Sequence, residues 1–364
     1  QQLLVTKPLE PPFDDGSKVL PRRLLDLLEP GALAVCAGRG TAGEALPEGL
    51  ETIRVYGRER TGGTRLLQNL RVFAFLLAHR HRFRAIHFFF APSPLAAACL
   101  RFLRRISPGT PFLQTIMSRP RTWDPKILFG DVVTCSSAET LERFAALGVR
   151  HELRLVRPGV PLPAGGGRRA QAIAARGLDE RDFHVLFAGD VEHGNAAAHL
   201  EVLVPALLAD ARIRVHLSIR TKSRDSAALL DALVGRIPPG LRDRVHTWID
   251  DRRFDELLHL QDAMVLPVDD LFRKVDAPLV VLESMALGKP VFMLDRPPLD
   301  EIPPPALRHR LLAPDAAALA AQVLAFVDDP ASIPAEALRR RIESEFALER
   351  TARTISELHE SHAA

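Results

Sequence analysis

The strongest sign of chemistry in this sequence is a glutamate, Glu283, within the segment 274–291. The segment reads KVDAPLVVLESMALGKPV and predicts a loop, a helix that begins at Pro278, a stop at Gly288 and a buried strand. Glu283 falls in the middle of that helix, among valine and leucine residues. A carboxylate there either points to the surface or accepts hydrogen bonds from a ligand, and sugar hydroxyls are natural donors to it. The surface alternative is common for glutamate in general, but the apolar surroundings favour a ligand.

A second candidate contact is the loop that follows the first predicted strand, residues 8–17. Its Gly16 lets the backbone approach a ligand, and Asp15 precedes that glycine directly. Ser17 is predicted to cap the next helix, so that free N–H groups face the ligand. Most loops of this kind carry a glycine and a cap, so the loop by itself favours an ordinary connection.

The elements that must position these residues follow a βα pattern. Short apolar runs alternate with amphipathic stretches along the whole chain, which predicts an α/β fold with doubly wound parallel sheets. Strands are predicted at residues 3–6, 32–36, 52–56, 85–90, 111–116, 131–135, 152–156, 183–188, 213–219, 244–249, 263–267 and 290–294. Ser136 and Glu139 predict a capping box at the start of one helix. The last long helix is predicted at 335–359.

A linker divides the chain into two domains of similar size. The segment 157–167 reads RPGVPLPAGGG and has almost no side chain to bury. We therefore expect tandem Rossmann-like domains at 1–160 and 168–330, followed by helices at 331–364. Tandem domains of this type usually bind their ligand in the cleft between them, at the carboxyl ends of the strands.

Charge is distributed unevenly between the two halves. Residues 1–160 carry 23 Lys and Arg against 14 Asp and Glu, whereas the rest of the chain carries 25 against 31. The basic half contains an apolar stripe that is predicted to belong to the core, formed by Leu66, Leu67, Leu70, Phe73 and Leu77. The neighbouring arginines are interpreted as a solvated face, with weak peripheral contact to an anionic membrane surface as the alternative.

Several classes of function are disfavoured. Aromatic residues make up only 6% of the chain and are not interleaved with basic residues, so nucleic acid is not expected as a partner. No apolar run reaches 18 residues, which argues against a transmembrane helix and favours a cytoplasmic protein. The pairs Asp250-Asp251 and Asp269-Asp270 are interpreted as turn or cap residues. No metal site is expected.

At Glu283 the sequence resembles a known family. Residues 283–291, ESMALGKPV, are similar to the E-A-M-A-x-G-x-P-V signature of the retaining family-4 glycosyltransferases, which have the two-domain GT-B fold. Weaker matches occur in the same order along the chain: the loop 8–17, Ser136-Ser137, the RPGV exit at 157–160, and the strand end FAGD at 187–190.

The resemblance implies roles for several residues. Glu283 would accept hydrogen bonds from the ribose of a nucleotide-diphosphate-sugar donor. An arginine and a lysine usually bind the diphosphate in the loop that begins here at Gly189, but this loop contains neither. Arg220 and Lys222, at the end of the next strand, are predicted to replace them, against the alternative of two exposed cations. Further donor contacts are expected at these positions: Asp15, Gly16, Gly189, Pro278 and Ser284.

The resemblance also implies the reaction. The chain would be a hexosyltransferase that retains anomeric configuration, uses no cofactor, and binds its acceptor on the first domain, with the C-terminal helices packed back toward that domain. The acceptor would be a glycan, a lipid-linked molecule or a small molecule. The family usually has a sugar-contacting glutamate where this chain has Val275, and Asp276 is the predicted substitute. That departure leaves two alternatives open, namely a nucleotide-sugar 2-epimerase of the same fold and an inactive transferase-like binding protein.

Overall fold

The computed structural model describes residues 1–9, 16–29, 33–38, 46–56, 66–90, 93–120, 122–163, 168–221, 225–272 and 274–362. The chain forms two compact units. The first unit comprises Gln1–Gly159, Arg273–Pro278 and Phe346–Ala364, and the second comprises Val160–Phe272 and Leu279–Glu345.

The first unit is built on a parallel sheet of seven strands in the order β3-β2-β1-β4-β5-β6-β7. The strands are β1 (Gln2–Thr6), β2 (Leu33–Gly38), β3 (Glu51–Tyr56), β4 (Ala85–Phe89), β5 (Phe112–Thr115), β6 (Val132–Cys135) and β7 (Glu152–Leu155). Its helices are α1 (Gly16–Leu25), α2 (Leu66–His79), α3 (Pro94–Arg105), α4 (Ala138–Ala146) and, from the end of the chain, α13 (Leu348–His362).

The second unit repeats this architecture with six parallel strands in the order β10-β9-β8-β11-β12-β13. The strands are β8 (Phe183–Gly189), β9 (Ile213–Ile219), β10 (Val245–Ile249), β11 (Ala263–Leu266), β12 (Val291–Leu294) and β13 (Leu312–Ala313). The helices are α5 (Arg169–Ala175), α6 (Ala196–Leu207), α7 (Asp225–Arg236), α8 (Phe254–Leu260), α9 (Leu279–Ala286), α10 (Arg308–Leu311), α11 (Ala316–Asp328) and α12 (Ala335–Glu345).

The prediction of two doubly wound parallel-sheet domains is confirmed, and the predicted strands lie within two residues of the observed ones. The short elements α5, α10 and β13 were not predicted, because a two-residue strand and helices of one or two turns leave little periodic signal. The helix predicted at 335–359 is wrong as a single element. It divides into α12 and α13 around Phe346, whose buried ring has the Arg157 guanidinium over it, 5.4 Å from the ring centroid.

The core of the first unit corrects a second prediction. Helices α2 and α3 contact each other and bury one face each, with Val72 and Leu76 of α2 in the same cluster as Leu100 and Leu103 of α3. The apolar stripe that was predicted to be core is divided instead. Phe73 packs against this cluster, whereas three leucines lie on the exposed side of α2: Leu67, Leu70 and Leu77.

A helix that crosses a bilayer must be about 20 residues long and mostly apolar. Among the described residues, no single helix is both long and apolar enough to cross a membrane. Residues Ala316–Asp328 and Pro330–Glu345 meet the criterion only as a pair, with a bend of 110° between them.

Candidate functional site

The order of the second sheet reverses between β8 and β11, and the loops after these two strands meet at its carboxyl edge. The backbone N–H of Asp269 donates to the carbonyl oxygen of Gly194, with 2.9 Å between N and O. Gly194 has a φ of +63°, and a Cβ there would lie 2.7 Å from the carbonyl oxygen of Asp270. The close approach of the two loops therefore requires glycine. Doubly wound sheets bind ligands at such a switch point.

Asp269 joins the ends of three strands at this edge. Its Oδ2 lies 2.8 Å from His199 Nε2 and accepts a hydrogen bond from Asn195 Nδ2 at 3.1 Å. Arg296, which follows β12, places Nη2 at 3.4 Å from Asp269 Oδ1. Burial by itself would raise the pKa of Asp269, but the contacts with Asn195 and His199 hold it below its usual range. The carboxylate thus fixes the geometry of the edge.

Arg220 directly follows β9 and lies beside the end of β8. In the parallel register Gly189 is paired with Ile219, so that Asp190 and Arg220 follow side by side. Arg220 Nη2 is 3.8 Å from Asp190 Oδ1, and the Asp190 side chain is only 2% exposed, whereas that of Arg220 is 36% exposed. A buried carboxylate therefore orients the guanidinium, and part of the guanidinium remains open to a ligand.

The loop that carries Arg220 is held from the next strand as well. Asp250 follows β10 and accepts two hydrogen bonds from Thr221, one from the backbone N–H at 2.9 Å and one from the hydroxyl. The backbone N–H of Asp250 donates in turn to the carbonyl oxygen of Ile219 at 3.0 Å. The residues on either side of Arg220, Ile219 and Thr221, are thus held by hydrogen bonds to Asp250. Lys222, the second predicted cation, lies outside the described residues.

The two neighbouring residues of the family signature, Glu283 and Ser284, have different environments. Glu283 is half-buried in the middle of α9, on the same helical stripe as half-buried Val280 and Leu287. Ser284 is fully buried, and its hydroxyl accepts a hydrogen bond from Gln261 Nε2 at 2.8 Å. The Ser284 side chain thus packs inside the second unit, and the predicted donor contact at Ser284 stays a prediction.

The end of α9 explains the glycine of the signature. The backbone N–H of Gly288 donates to the carbonyl oxygen of Met285 at 2.9 Å, and that of Lys289 donates to Ser284 at 3.0 Å. This is a Schellman motif, which needs a left-handed residue, and Gly288 has a φ of +77°. A Cβ on Gly288 would also lie 2.9 Å from the Cβ of Ala335, so α9 and α12 pack closely only because the residue is glycine.

Asp276, the predicted catalytic substitute, makes its side-chain hydrogen bonds inside the first unit. Its side chain is buried, and Oδ2 accepts hydrogen bonds from the hydroxyls of Ser137 and Thr140, both at 2.6 Å, and of Ser136 at 3.3 Å. Oδ1 is buried with no hydrogen-bond partner among the described residues. Burial raises the pKa of Asp276 despite these donations. The prediction that its carboxylate contacts the sugar stays a prediction, and the observed partners of the carboxylate are these three hydroxyls.

The same contacts correct the predicted capping box. Ser137, not Ser136, is the N-cap of α4, because its Oγ accepts a hydrogen bond from the backbone N–H of Thr140 at 3.1 Å. The Ser136 hydroxyl donates to Asp276 instead. Glu139 makes a bidentate ion pair with Arg119, with N–O distances of 2.6 and 2.9 Å.

The remaining predicted positions lie at element ends. Gly189 is the last residue of β8, and half-buried Pro278 directly precedes α9. Helix α1 begins at Gly16, so Ser17 lies within its first turn rather than at the cap position before it. Asp15 lies outside the described residues. Of the predicted positions, Gly189 and Arg220 lie close together, because Gly189 is paired with Ile219, the residue before Arg220.

Comparison with known proteins finds a family match within the second unit. Residues 182–329 match the family model described as glycosyl transferases group 1. This region is therefore similar to a group 1 glycosyltransferase domain. It includes the switch point between β8 and β11, Arg220 and the whole of α9. No curated protein sequence matches the chain significantly.

Solved structures that resemble the chain have the GT-B fold. The prediction of a GT-B fold with two Rossmann-like domains is thereby confirmed. HepE of Anabaena, solved with UDP and glucose, is 15% identical, with a TM-score of 0.74 and 99% of each chain covered. Sucrose-phosphate synthase of Thermosynechococcus elongatus is 20% identical over 99% of this chain and 98% of its own, with a TM-score of 0.73. A glycosyltransferase of Rickettsia africae is 13% identical, with the same coverages and a TM-score of 0.72.

Sequence reasoning missed the residues that orient side chains at the carboxyl edge of the second sheet. Asp190, Asp250 and Asp269 each lie one to three residues after the end of a strand. This position at the carboxyl end of a parallel strand is the sequence signal that could have identified them. The interpretation of the aspartate pairs as turn residues holds for Asp270, whose Oδ1 accepts from the backbone N–H of Phe272 at 2.9 Å. Within the described ranges, no three histidine, cysteine, aspartate or glutamate side chains are grouped so that they could hold a metal ion.

Proposed function

We propose that the chain transfers a hexose from a nucleotide-diphosphate-sugar donor to an acceptor and retains the anomeric configuration. The observation that carries the proposal is Arg220, a 36% exposed guanidinium beside buried Asp190 at the carboxyl edge of the second sheet. The similar structure of HepE contains a nucleotide and a sugar, which supports a donor of this class. We assign the donor to the second unit and the acceptor to the first.

Each residue has a defined task in this proposal. Arg220 would bind two oxygens of the diphosphate and stabilise the negative charge that develops as the sugar leaves it. Lys222 would supply a second charge, while Gly189 and the N-terminus of α9 after Pro278 would approach the phosphates. Asp15 and Gly16 stay predicted donor contacts. Glu283 would accept hydrogen bonds from the ribose hydroxyls.

The reaction is proposed to proceed on one face of the sugar. The bond between the anomeric carbon and the diphosphate oxygen breaks, and the acceptor oxygen bonds to the same face of that carbon. The acceptor proton passes to the leaving phosphate, which leaves as a nucleoside diphosphate. This route is the one that the family resemblance implies. It requires no carboxylate nucleophile, which suits a chain whose Asp276 is occupied by three hydroxyls.

A thermal-shift panel tests the donor class. UDP, ADP and GDP, and the glucose conjugate of each, are added to the purified chain. A ligand at 100 times its Kd stabilises the folded state by about 2.7 kcal/mol, which shifts the unfolding temperature by several degrees. Stabilisation by a nucleotide diphosphate and its sugar conjugate is expected. No shift with any of the six would contradict a nucleotide-sugar site.

The burial of Asp276 also favours a second candidate, a binding protein without turnover. Val275 stands where the resembled family has a carboxylate, and the side chain of its neighbour Asp276 is buried. Incubation of the stabilising donor with the chain, followed by chromatography and NMR, separates the candidates. Transfer or hydrolysis with retained configuration supports the transferase. A changed sugar nucleotide indicates a 2-epimerase, and an unchanged donor indicates a binding protein.

A further inference from the structure

We propose that the outer face of α2 and α3 docks on an anionic lipid bilayer. This docking face consists of Leu67, Leu70, Arg71 and Leu77 on α2, with Leu95, Phe102 and Arg105 on α3. The proposal concerns the first unit and does not rest on the donor chemistry proposed above. It rests on the exposure of the apolar side chains and on the charge around them.

The docking face lies opposite the buried faces of the same helices. On α2 the three leucines and exposed Ala74 recur at intervals of three or four residues, with Arg71 next to Leu70. On α3 Leu95, Phe102 and Arg105 recur in the same way together with exposed Ala98. The exposed fractions are 59% for Leu67, 52% for Leu70, 65% for Leu95 and 56% for Phe102. Twelve large apolar side chains are exposed in the described part of the chain, and five of them are on these two contacting helices. This concentration of apolar surface is the mark of an interaction site.

The charge of this region has a single sign. From Leu66 to Ile106 the sequence contains seven arginines and no aspartate or glutamate. Arg71, Arg84 and Arg105 are exposed, and no carboxylate among the described residues forms an ion pair with them. Where arginines of this region are paired, as in Arg104 with Asp131, the carboxylate comes from outside the two helices.

A bilayer with anionic headgroups complements both features. Leucine and phenylalanine side chains gain by insertion at the boundary between headgroups and acyl chains, while arginines attract the lipid phosphates. Nucleic acid would use the arginines and leave the leucines in water. A symmetric contact with a second copy would place like charges against each other across the two-fold axis.

Co-sedimentation with lipid vesicles tests the proposal. The purified chain is mixed with vesicles of phosphatidylcholine containing 30% phosphatidylglycerol, and with vesicles of phosphatidylcholine alone, at about 50 mM and about 500 mM salt. Binding to the anionic vesicles at low salt, with weaker binding at high salt or without phosphatidylglycerol, is the expected result. A chain that stays in the supernatant with anionic vesicles at low salt overturns the proposal.

Two sets of variants separate the apolar and the charged contributions. Arg71→Gln with Arg105→Gln should weaken the partition coefficient about 30-fold, the equivalent of about 1 kcal/mol for each cation. The matched control is Arg350→Gln with Arg353→Gln, two exposed arginines on α13 of the same unit, which should change binding less than threefold. Equal losses in both pairs would show attraction by net charge alone and would overturn the docking face.

The apolar set is Leu70→Ser with Phe102→Ser, and its control is Val202→Ser, at a 52% exposed position on α6. Only the first set should reduce vesicle binding, by about tenfold or more, since each apolar side chain contributes more than 1 kcal/mol when it is buried. Circular dichroism and the unfolding temperature should stay unchanged, because these side chains are exposed. If light scattering shows a dimer that the apolar set dissociates, while vesicles bind parent and variants equally, the face joins two copies and the lipid proposal is wrong.

Discussion

The polar residues of the two units differ in what surrounds them. In the first unit Asp276, His87 and His359 are at most 3% exposed, and their contacts are all inside the unit. In the second unit Arg220, at the carboxyl edge of the sheet, is 36% exposed, and Glu283, in the middle of α9, is half-buried. Residue type does not distinguish the two sets, since both contain a carboxylate near the family signature. The two sets therefore differ in exposure: the first is enclosed within its unit, whereas the Arg220 guanidinium of the second is partly exposed.

His87 and His359 form a buried pair in the first unit. His87 Nδ1 lies 2.8 Å from His359 Nε2, and His87 Nε2 lies 2.7 Å from the hydroxyl of Thr115, which is itself 2.7 Å from that of Thr134. Burial lowers the pKa of His359 to about 4, and burial together with His359 lowers that of His87 well below its usual value. The pair connects the last helix, α13, to the sheet in its uncharged form.

The largest expected effect is therefore the loss of this uncharged pair in acid. In the unfolded chain His359 titrates near 6.5, whereas in the folded chain its pKa is about 4, so the unfolded chain binds more protons between these values. Its contribution to stability is complete above pH 6.5 and is lost as the pH falls to 4, at a cost of about 3 kcal/mol.

Urea unfolding at pH 7 and pH 4 measures this loss in the parent and in His359→Gln. The glutamine retains a hydrogen-bonding group but does not titrate, so the variant should lose about 3 kcal/mol less than the parent. The control is His309→Gln, at an exposed position of the second unit. Equal pH dependence in parent and His359→Gln would show that the pair can be charged within the folded unit.

The next effect concerns Asp276, and it separates a structural role from a catalytic one. Asp276→Ala leaves the hydroxyls of Ser137 and Thr140 buried without their acceptor and should lower the free energy of unfolding by about 2 kcal/mol. Asp276→Asn keeps an acceptor oxygen and should lose about half as much. Urea unfolding provides the measurement. An Asp276→Ala chain of parental stability that has lost all turnover would instead assign the carboxylate to the substrate.

A smaller effect is expected at Arg220. Arg220→Ala removes a charged partner of the diphosphate and should weaken UDP binding about tenfold, the equivalent of about 1.4 kcal/mol. Titration calorimetry with UDP at two salt concentrations measures the loss and its salt dependence. The control is Arg310→Ala, an exposed arginine of the same unit. UDP affinity and salt dependence that match the parent would make Arg220 a surface cation with no ligand.

The smallest effect is expected at Glu283. Glu283→Gln replaces a carboxylate acceptor by a neutral one, which should weaken UDP binding about fivefold, or about 1 kcal/mol, and leave stability unchanged. The exposed Glu343 of α12 supplies the control, Glu343→Gln. Deoxyuridine diphosphate sharpens the test, because the variant should discriminate less between the two nucleotides. Parental affinity for both nucleotides would remove Glu283 from the ribose site.

Much of the fold could be predicted because its signals are local. The period of apolar residues located the strands of both sheets, and Gly288 marked the end of α9 through the left-handed conformation that only glycine adopts readily. The division of helix 335–359 was not predictable, because the contact of Phe346 with Arg157 joins segments that are far apart along the chain.

The sequence by itself determined the two α/β domains and the segment that carries Glu283, since periodicity, glycine conformation and a spaced signature are properties of neighbouring residues. Only the tertiary structure decided which of those side chains are enclosed. Asp276 is covered by hydroxyls 136 to 140 residues away, and Leu70 is exposed because nothing in the described chain packs over the outer face of α2. Burial depends on elements that fold over a residue from elsewhere, and a local pattern contains no record of them.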